Sequence, residues 1–272
     1  MKKTVFSLIS VLLASLFLLV TVGCSLQPKN ERRDDSLTKI LESGELVLGL
    51  DVEFPPMGFK DENGEIVGFD IDVAREVCRR LGVKLTTRAI DWDEKEDELN
   101  EGHIDCIWNG FSITPARAEA MRMSDPYMKN ELIVVVPDDS DVKVLRDLAG
   151  KKVGVQSGST AQDILGSSES FREITPIPYD TAIIILDKLD RREIDAALVD
   201  SVAAYYLIFL NENGRYFVLS DSLGEEEYAI GFRKNDRALC DRIQELISEM
   251  KADGTLGDIS KKWFGSDITT VK

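Results

Sequence analysis

Short apolar runs with strand character alternate along this chain with segments of helical period. That alternation constrains the fold more than any other feature. Residues 46–50, 84–90, 104–108, 132–136, 152–156, 174–179, 196–199 and 228–232 read as extended. Between them lie helical patterns, at 69–81, 93–101, 144–148, 181–191 and 201–209, and another begins at Ala161. The first of these puts Ile71, Ala74, Val77, Cys78 and Leu81 on one face and stops at Gly82. Residues 237–252 and 256–264 close the chain as helices. Strands separated by helices fold as α/β with largely parallel sheets. The pattern starts twice, at VLGL and again at VGV, which predicts two α/β lobes. The strands at 132–136 and 228–232 are the natural crossovers, a two-strand hinge. The chain then leaves the first lobe near Asn130 and returns near Glu226. The first lobe takes 37–130 and 226–272, and the second takes 131–225. Ligands in such sheets bind where loops leave the strands' carboxyl ends. Two facing lobes therefore enclose a cleft lined by those loops.

The N-terminus reads as a targeting segment. Lys2 and Lys3 precede an apolar run from Val5 to Val22, followed by Gly23 and Cys24. This resembles a bacterial lipoprotein signal, in which residues 1–23 are removed and Cys24 becomes a lipidated N-terminus. Thr21 stands where such signals usually carry Leu. The competing reading is an uncleaved membrane anchor, since the run has about the minimum spanning length. Either way the rest of the chain faces outward on a tether. Residues 24–36 are polar and form a linker. No later run is long and apolar enough to span a bilayer. The net charge of −16 argues against nucleic acid as a partner. Cys78, Cys106 and Cys240 remain after Cys24, an odd number for an exported protein. They read as small buried thiols, with one disulfide among them left open. The single histidine, His103, sits in a turn as a surface residue. One histidine and no CxxC leave a zinc site without ligands. No metal and no cofactor are expected.

Four strand ends and one helix start offer chemistry. After the opening strand, DVEFPPMGF stiffens at Pro55-Pro56 and fixes Phe54, as a ligand wall or as core. Trp92 follows the second strand, as a wall or as a helix-start staple. The segment 101–127, EGHIDCIWNGFSITPARAEAMRMSDPY, reads as a strand to Trp108, a loop at 109–112, and a helix start. Thr114 suits its N-cap and Pro115 its first turn. Arg117 then sits where free backbone N–H groups already favour an anion. Its planar fork holds a carboxylate by two parallel hydrogen bonds; the bland alternative is a solvated helix arginine. SGST at 157–160 is a carboxylate seat at a helix start or an ordinary cap. Asp200 ends the strand AALV and begins the helix SVAAYYL, so it caps that helix or receives an ammonium. Arg117 from one lobe and Asp200 from the other would recognise a zwitterion, and an α-amino acid carries those two charges.

With these residues in view, the chain resembles the polar amino-acid solute-binding proteins of ATP-driven importers, family 3, with the type II periplasmic-binding fold. The resemblance runs from about Gly44 to Gly265. It rests on FPPMGFKDENGEIVGFDIDVAREV, SITPAR, SDPY, VGVQSGST, DAALVD and KKWFG together. It implies that Arg117 grips the ligand's α-carboxylate, with Ser112 and Thr160 assisting through backbone N–H groups. It implies that the Gly110 carbonyl and Asp200 bind the α-ammonium. Phe54 and Trp92 would sandwich the side chain, with Asp51 near its tip and Asn109 and Gln156 at positions that vary with the ligand. Asn109-Gly110 replaces the paired small hydroxyls of several members. Asp51, Glu53 and Asp93 flank the aromatic walls, which suits a cationic side chain. Asn109 and Gln156 suit a neutral polar one equally well.

The resemblance further implies a monomer, anchored by lipid on the outer side of the membrane, that delivers a free L-amino acid, neutral polar or basic, to an ABC permease. Enzymes share this scaffold, and fold alone does not fix function. A cyclohexadienyl dehydratase-like enzyme or a sensor input domain are the alternatives. Against the first, no nucleophile–base pair and no GxSxG stands in the sequence.

Overall fold

The computed structural model describes residues 34–167, 169–211 and 214–272. The expected signal peptide 1–23, Cys24 and the linker up to residue 33 lie outside the described residues. A helix, Ser36–Ser43, begins on the last residue assigned to the linker. Its Ser36 is buried and its hydroxyl accepts from the Leu239 N–H at 3.1 Å. Among the described residues no helix is long and apolar enough to cross a membrane.

The strands in chain order are β1 (Glu45–Leu50), β2 (Glu53–Phe54), β3 (Gly58–Lys60), β4 (Ile66–Val67), β5 (Lys84–Ala89), β6 (Cys106–Ser112) and β7 (Arg122–Met123). Then come β8 (Met128–Pro137), β9 (Lys152–Gln156), β10 (Thr175–Tyr179), β11 (Ala196–Asp200), β12 (Tyr216–Val218) and β13 (Gly224–Phe232). The main sheet runs β10-β9-β11-β8-β13-β6-β1-β5, with β12 on β8 and β7 on β13, and β2-β3-β4 form a small separate sheet. β5, β1 and β6 are parallel, as are β10, β9 and β11. Between these two groups lie β8 and β13, antiparallel to each other, with Asn130 opposite Glu226. Each pairs with β13 or β8 at one part of its length and with a lobe strand at another: β8 with β11, β13 with β6. Two α/β lobes are thus joined by a two-strand hinge.

Why the apolar runs are strands is visible in their burial. On β8, Leu132, Val134 and Val136 enter one core and Ile133 and Val135 another. On β11, Ala196 and Leu198 face the first, Ala197 and Val199 the second. Side chains alternate across a strand, so a strand buried on both faces reads as one unbroken apolar run. The first lobe packs likewise. Leu46, Leu48, Leu50, Cys106 and Trp108 meet the helices Phe69–Leu81 and Arg237–Ala252. Ile104, Ile107 and Phe111 face the other side. Cys78, Cys106 and Cys240 are buried free thiols.

One expectation fails here. Residues 109–112, read as a loop, continue β6 and are buried throughout. Asn109, Gly110 and Ser112 look like loop composition, yet distant partners answer the Asn109 side-chain carbonyl, the Gly110 N–H and the Ser112 hydroxyl. The Asp51 N–H donates to Asn109 Oδ1 at 3.1 Å. The Gly110 N–H donates to Asp70 Oδ2 at 2.7 Å, and Ser112 Oγ donates to Glu226 at 2.7 Å. β13 pairs alongside, Tyr228 with Ser112 and Ala229 with Phe111, and its register then slips before Gly231. Gly110 takes φ +57° at this irregularity, a left-handed conformation that costs an ordinary residue about 1–3 kcal/mol. A Cβ there would also lie 2.8 Å from the Phe54 ring and 3.2 Å from that of Tyr228. Gly110→Ala should therefore lower stability by about 1–3 kcal/mol in urea unfolding. A midpoint equal to wild type would show that the site tolerates a side chain.

Candidate functional site

Ten residues singled out from the sequence line one cavity: Asp51, Phe54, Trp92, Asn109, Gly110, Ser112, Arg117, Gln156, Thr160 and Asp200. Ser159, read from the sequence only as part of the SGST turn, lines it too. His103 does not, nor do Glu53 and Asp93, so only one of the three acids near the aromatic walls faces the cavity. The walls have double duty. Phe54 is 5% exposed and belongs to the first lobe's core. Trp92 begins a short 3-10 turn and sets its ring edge-on to Phe111, 5.9 Å between centroids.

Arg117 is placed by its helix, Pro115–Ala120. The Arg117 N–H donates to the Thr114 hydroxyl at 3.1 Å, the N-cap bond that the sequence predicts. Its guanidinium lies 4.3 Å above the Phe111 ring. It donates to the Ser112 carbonyl at 2.9 Å and across the cleft to the Gly158 carbonyl at 3.3 Å. Among the described residues no carboxylate oxygen lies within 4.0 Å of it. Burial pulls its pKa below the ordinary value, with Glu226 pulling the other way. Two of five N–H groups are engaged by these carbonyls, which leaves donors for an anion.

Asp200 occupies the N-cap position of Ser201–Leu210 without making the cap bond. Its Oδ1 instead accepts from the Tyr228 hydroxyl at 2.7 Å and from Asn130 Nδ2. Asn130 Nδ2 also donates to Glu226 at 3.0 Å. Burial, and then Glu226, push the Asp200 carboxyl well above the ordinary carboxylate range. Sequence reading missed Asn130, Tyr228 and Glu226 as its supports. The alternation of β13 was the available signal, since it puts Glu226 and Tyr228 on one face.

At the opposite end, Asp51 Oδ2 accepts from Gln156 Nε2 at 2.8 Å, a bond between lobes. Asp51 Oδ1 accepts from the Glu53 N–H at 2.8 Å. Burial raises the Asp51 pKa. Asn109 Nδ2 is buried without a partner. The SGST turn serves as cap and wall together. Ser159 Oγ accepts from the Gln162 N–H at 3.3 Å and donates to the Gln156 carbonyl at 2.7 Å, while Ser159 and Thr160 face the cavity. Behind Gly110, Asp70 is fully buried, accepts from the Tyr127 hydroxyl at 2.9 Å, and is pushed up to about 7 by burial. The arrangement provides a cation, an acid across from it, aromatic walls and a polar far end. It suits a small zwitterion.

Comparison with known proteins agrees with this chemistry. The model of the bacterial extracellular solute-binding proteins, family 3, matches residues 46–266. The L-cystine-binding protein TcyJ of Escherichia coli is 29% identical, over 92% of this chain and 94% of its own. The crystal structure of Tv2483 bound to L-arginine has 33% identity and a TM-score of 0.83, covering 88% of this chain and 98% of that one. A substrate-binding protein of an ABC uptake transporter from Streptococcus pneumoniae, with bound histidine, has 37% identity and a TM-score of 0.83. It covers 88% of this chain and 99% of that one.

Proposed function

This chain belongs to family 3 of the bacterial extracellular solute-binding proteins, and on that premise we propose how it captures a polar α-amino acid by lobe closure and hands it to the permease of an ATP-driven importer. The observation that supports this most is the meeting of Arg117 and Asp200, from different lobes, on one cavity. Arg117 takes the α-carboxylate, with the backbone N–H groups of Ser112 and Thr160. Asp200 and the Gly110 carbonyl take the α-ammonium. Phe54 and Trp92 hold the side chain between them. The ligand first meets the first lobe, and closure adds Thr160 and Asp200. The lobe boundaries follow the Asn130–Glu226 pair: 37–130 with 226–272, and 131–225.

Asp51 favours a basic side chain. It is buried, and among the described residues no cation lies within 4.0 Å of it. A ligand ammonium or guanidinium near it gains charge attraction and two aromatic faces. The unpartnered Asn109 amide supports a second reading, a neutral polar ligand whose carbonyl accepts from it. The relatives bound to arginine and histidine fit the first. Calorimetric titration with the common amino acids and ornithine should give heat for the basic ones foremost. Heat only for amides would select the second reading, and silence for every amino acid would sink both.

Residues 1–23 act as a lipoprotein signal and Cys24 carries the anchor. A diacylglycerol there supplies two chains, enough for stable attachment. Residues 24–35, short of the expected 36 because Ser36 is buried in the first helix, tether a monomer to the outer face of the membrane, beside its permease. The chain works as a binder and not as an enzyme, as the relatives compared do.

A further inference from the structure

We propose that Lys95 is a positioning residue for capture, clasping the second lobe onto the first through the Gly158 carbonyl. The inference rests on the binding reading above. Lys95 opens the charged helix Lys95–Asn100, yet unlike the acids around it its side chain is buried, 5% exposed. Its Nζ donates to the Trp92 carbonyl at 2.8 Å and, across the cleft, to the Gly158 carbonyl at 3.0 Å. It also lies 5.3 Å from the Trp92 ring centroid. Among the described residues no carboxylate oxygen comes within 4.0 Å of it. A buried ammonium is costly when its nearest anions, Asp93, Glu96 and Asp163, attract it only from beyond contact, so this placement asks for a reason.

Gly158 supplies one. It takes φ +64°. A Cβ on it would lie 2.5 Å from Asp93 Oδ1 and 3.1 Å from Lys95 Nζ. Only a glycine lets the second lobe seat this closely. Its carbonyl oxygen then receives two cations, Lys95 and Arg117. A neutral carbonyl satisfies their hydrogen bonds without cancelling their charge. A carboxylate arriving on Arg117 does cancel it, and so lowers the cost of the closed form. The clasp thereby ties closure to the presence of the ligand's carboxylate. Lys95 does not line the cavity, so it acts on closure and not on the choice of side chain.

Lys95→Met keeps the aliphatic stem and removes the charge. Stopped-flow and calorimetry on the full chain should show release faster by ~10-fold or more, the scale of a lost charged hydrogen bond. Association should stay within about twofold. Every accepted amino acid should weaken by the same factor, and the ligand-free unfolding midpoint should hold. The proposal is overturned by an unchanged release rate, by a loss that differs among ligands, or by a matching fall in ligand-free stability. If Lys95→Met does not fold, Gly158→Ala approaches the same contact from the other lobe and should show the same release phenotype; wild-type release would overturn it. If wild-type protein binds no amino acid, the binding reading has failed. Small-angle scattering with added acetate, a bare carboxylate for Arg117, then decides the clasp alone. Compaction by acetate in wild type that Lys95→Met lacks supports it, and the same response in both overturns it.

Discussion

Replacing Arg117 by alanine raises the dissociation constant for the preferred amino acid by at least ~30-fold, about 2 kcal/mol, the scale for truncating a buried charged partner. The expectation follows from its surroundings. Arg117 is buried, stacked on Phe111 and held by its own helix cap, so no ordering is left for binding to impose. Arg117→Lys should recover only part of the loss, because an ammonium lacks the planar fork. Affinity for amino-acid amides, which lack the carboxylate, should scarcely change on either substitution. An unchanged dissociation constant for the amino acid in Arg117→Ala would remove Arg117 from the site.

Asp200→Asn is the second large effect, and pH exposes it. With the lobes closed, burial and Glu226 hold the Asp200 pKa up to about 7, above its ordinary 3.8. Between those two values the closed chain keeps a proton that the unfolded chain has lost. Stability of the closed form therefore falls as pH rises through that window. A ligand ammonium takes the proton's place, so binding releases a proton and affinity rises with pH, levelling off once Asp200 is ionised. Calorimetry in buffers of different ionisation enthalpy reads the released proton directly. Asp200→Asn should weaken binding by at least ~2 kcal/mol at pH 8 and flatten the pH dependence. Asp70, which also titrates near 7, is controlled by Asp70→Asn in parallel. A slope that survives in Asp200→Asn would assign the proton elsewhere.

The fold was open to reading wherever burial is two-sided or helices are well marked. The apolar runs of β8, β9 and β11 have no polar face to disguise them, and the helices Phe69–Leu81 and Arg237–Ala252 match their expected bounds. The small sheet β2-β3-β4 and the start of β13 were not legible. The first has strands of two or three residues, and GEEE reads as a charged turn until β8 is seen beside it. Within the site, residues with a recognisable local setting could be picked out, as Arg117 after its cap or Asp200 at a strand end. Residues that matter through distant partners could not. Lys95 meets Gly158 63 positions away, and Ser112 meets Glu226 at 114. The same distance hid the strand character of Asn109–Gly110, whose side-chain carbonyl and backbone N–H are answered by Asp51 and Asp70.

The hinge strands also order the assembly of the chain in time. β13 stands between β8 and β6, and the helix Arg237–Ala252 fills the first lobe's core, yet both follow the whole second lobe in sequence. β9, β10 and β11 find their partners within the span from β8 to β12. A chain emerging from its N-terminus can therefore complete the second lobe while β6, paired with β1, still lacks its second neighbour. The first lobe, begun earlier, is finished last, after closing a loop of more than a hundred residues between Ser112 and Tyr228. Until then the edge of β6 stays exposed to pairing with other chains.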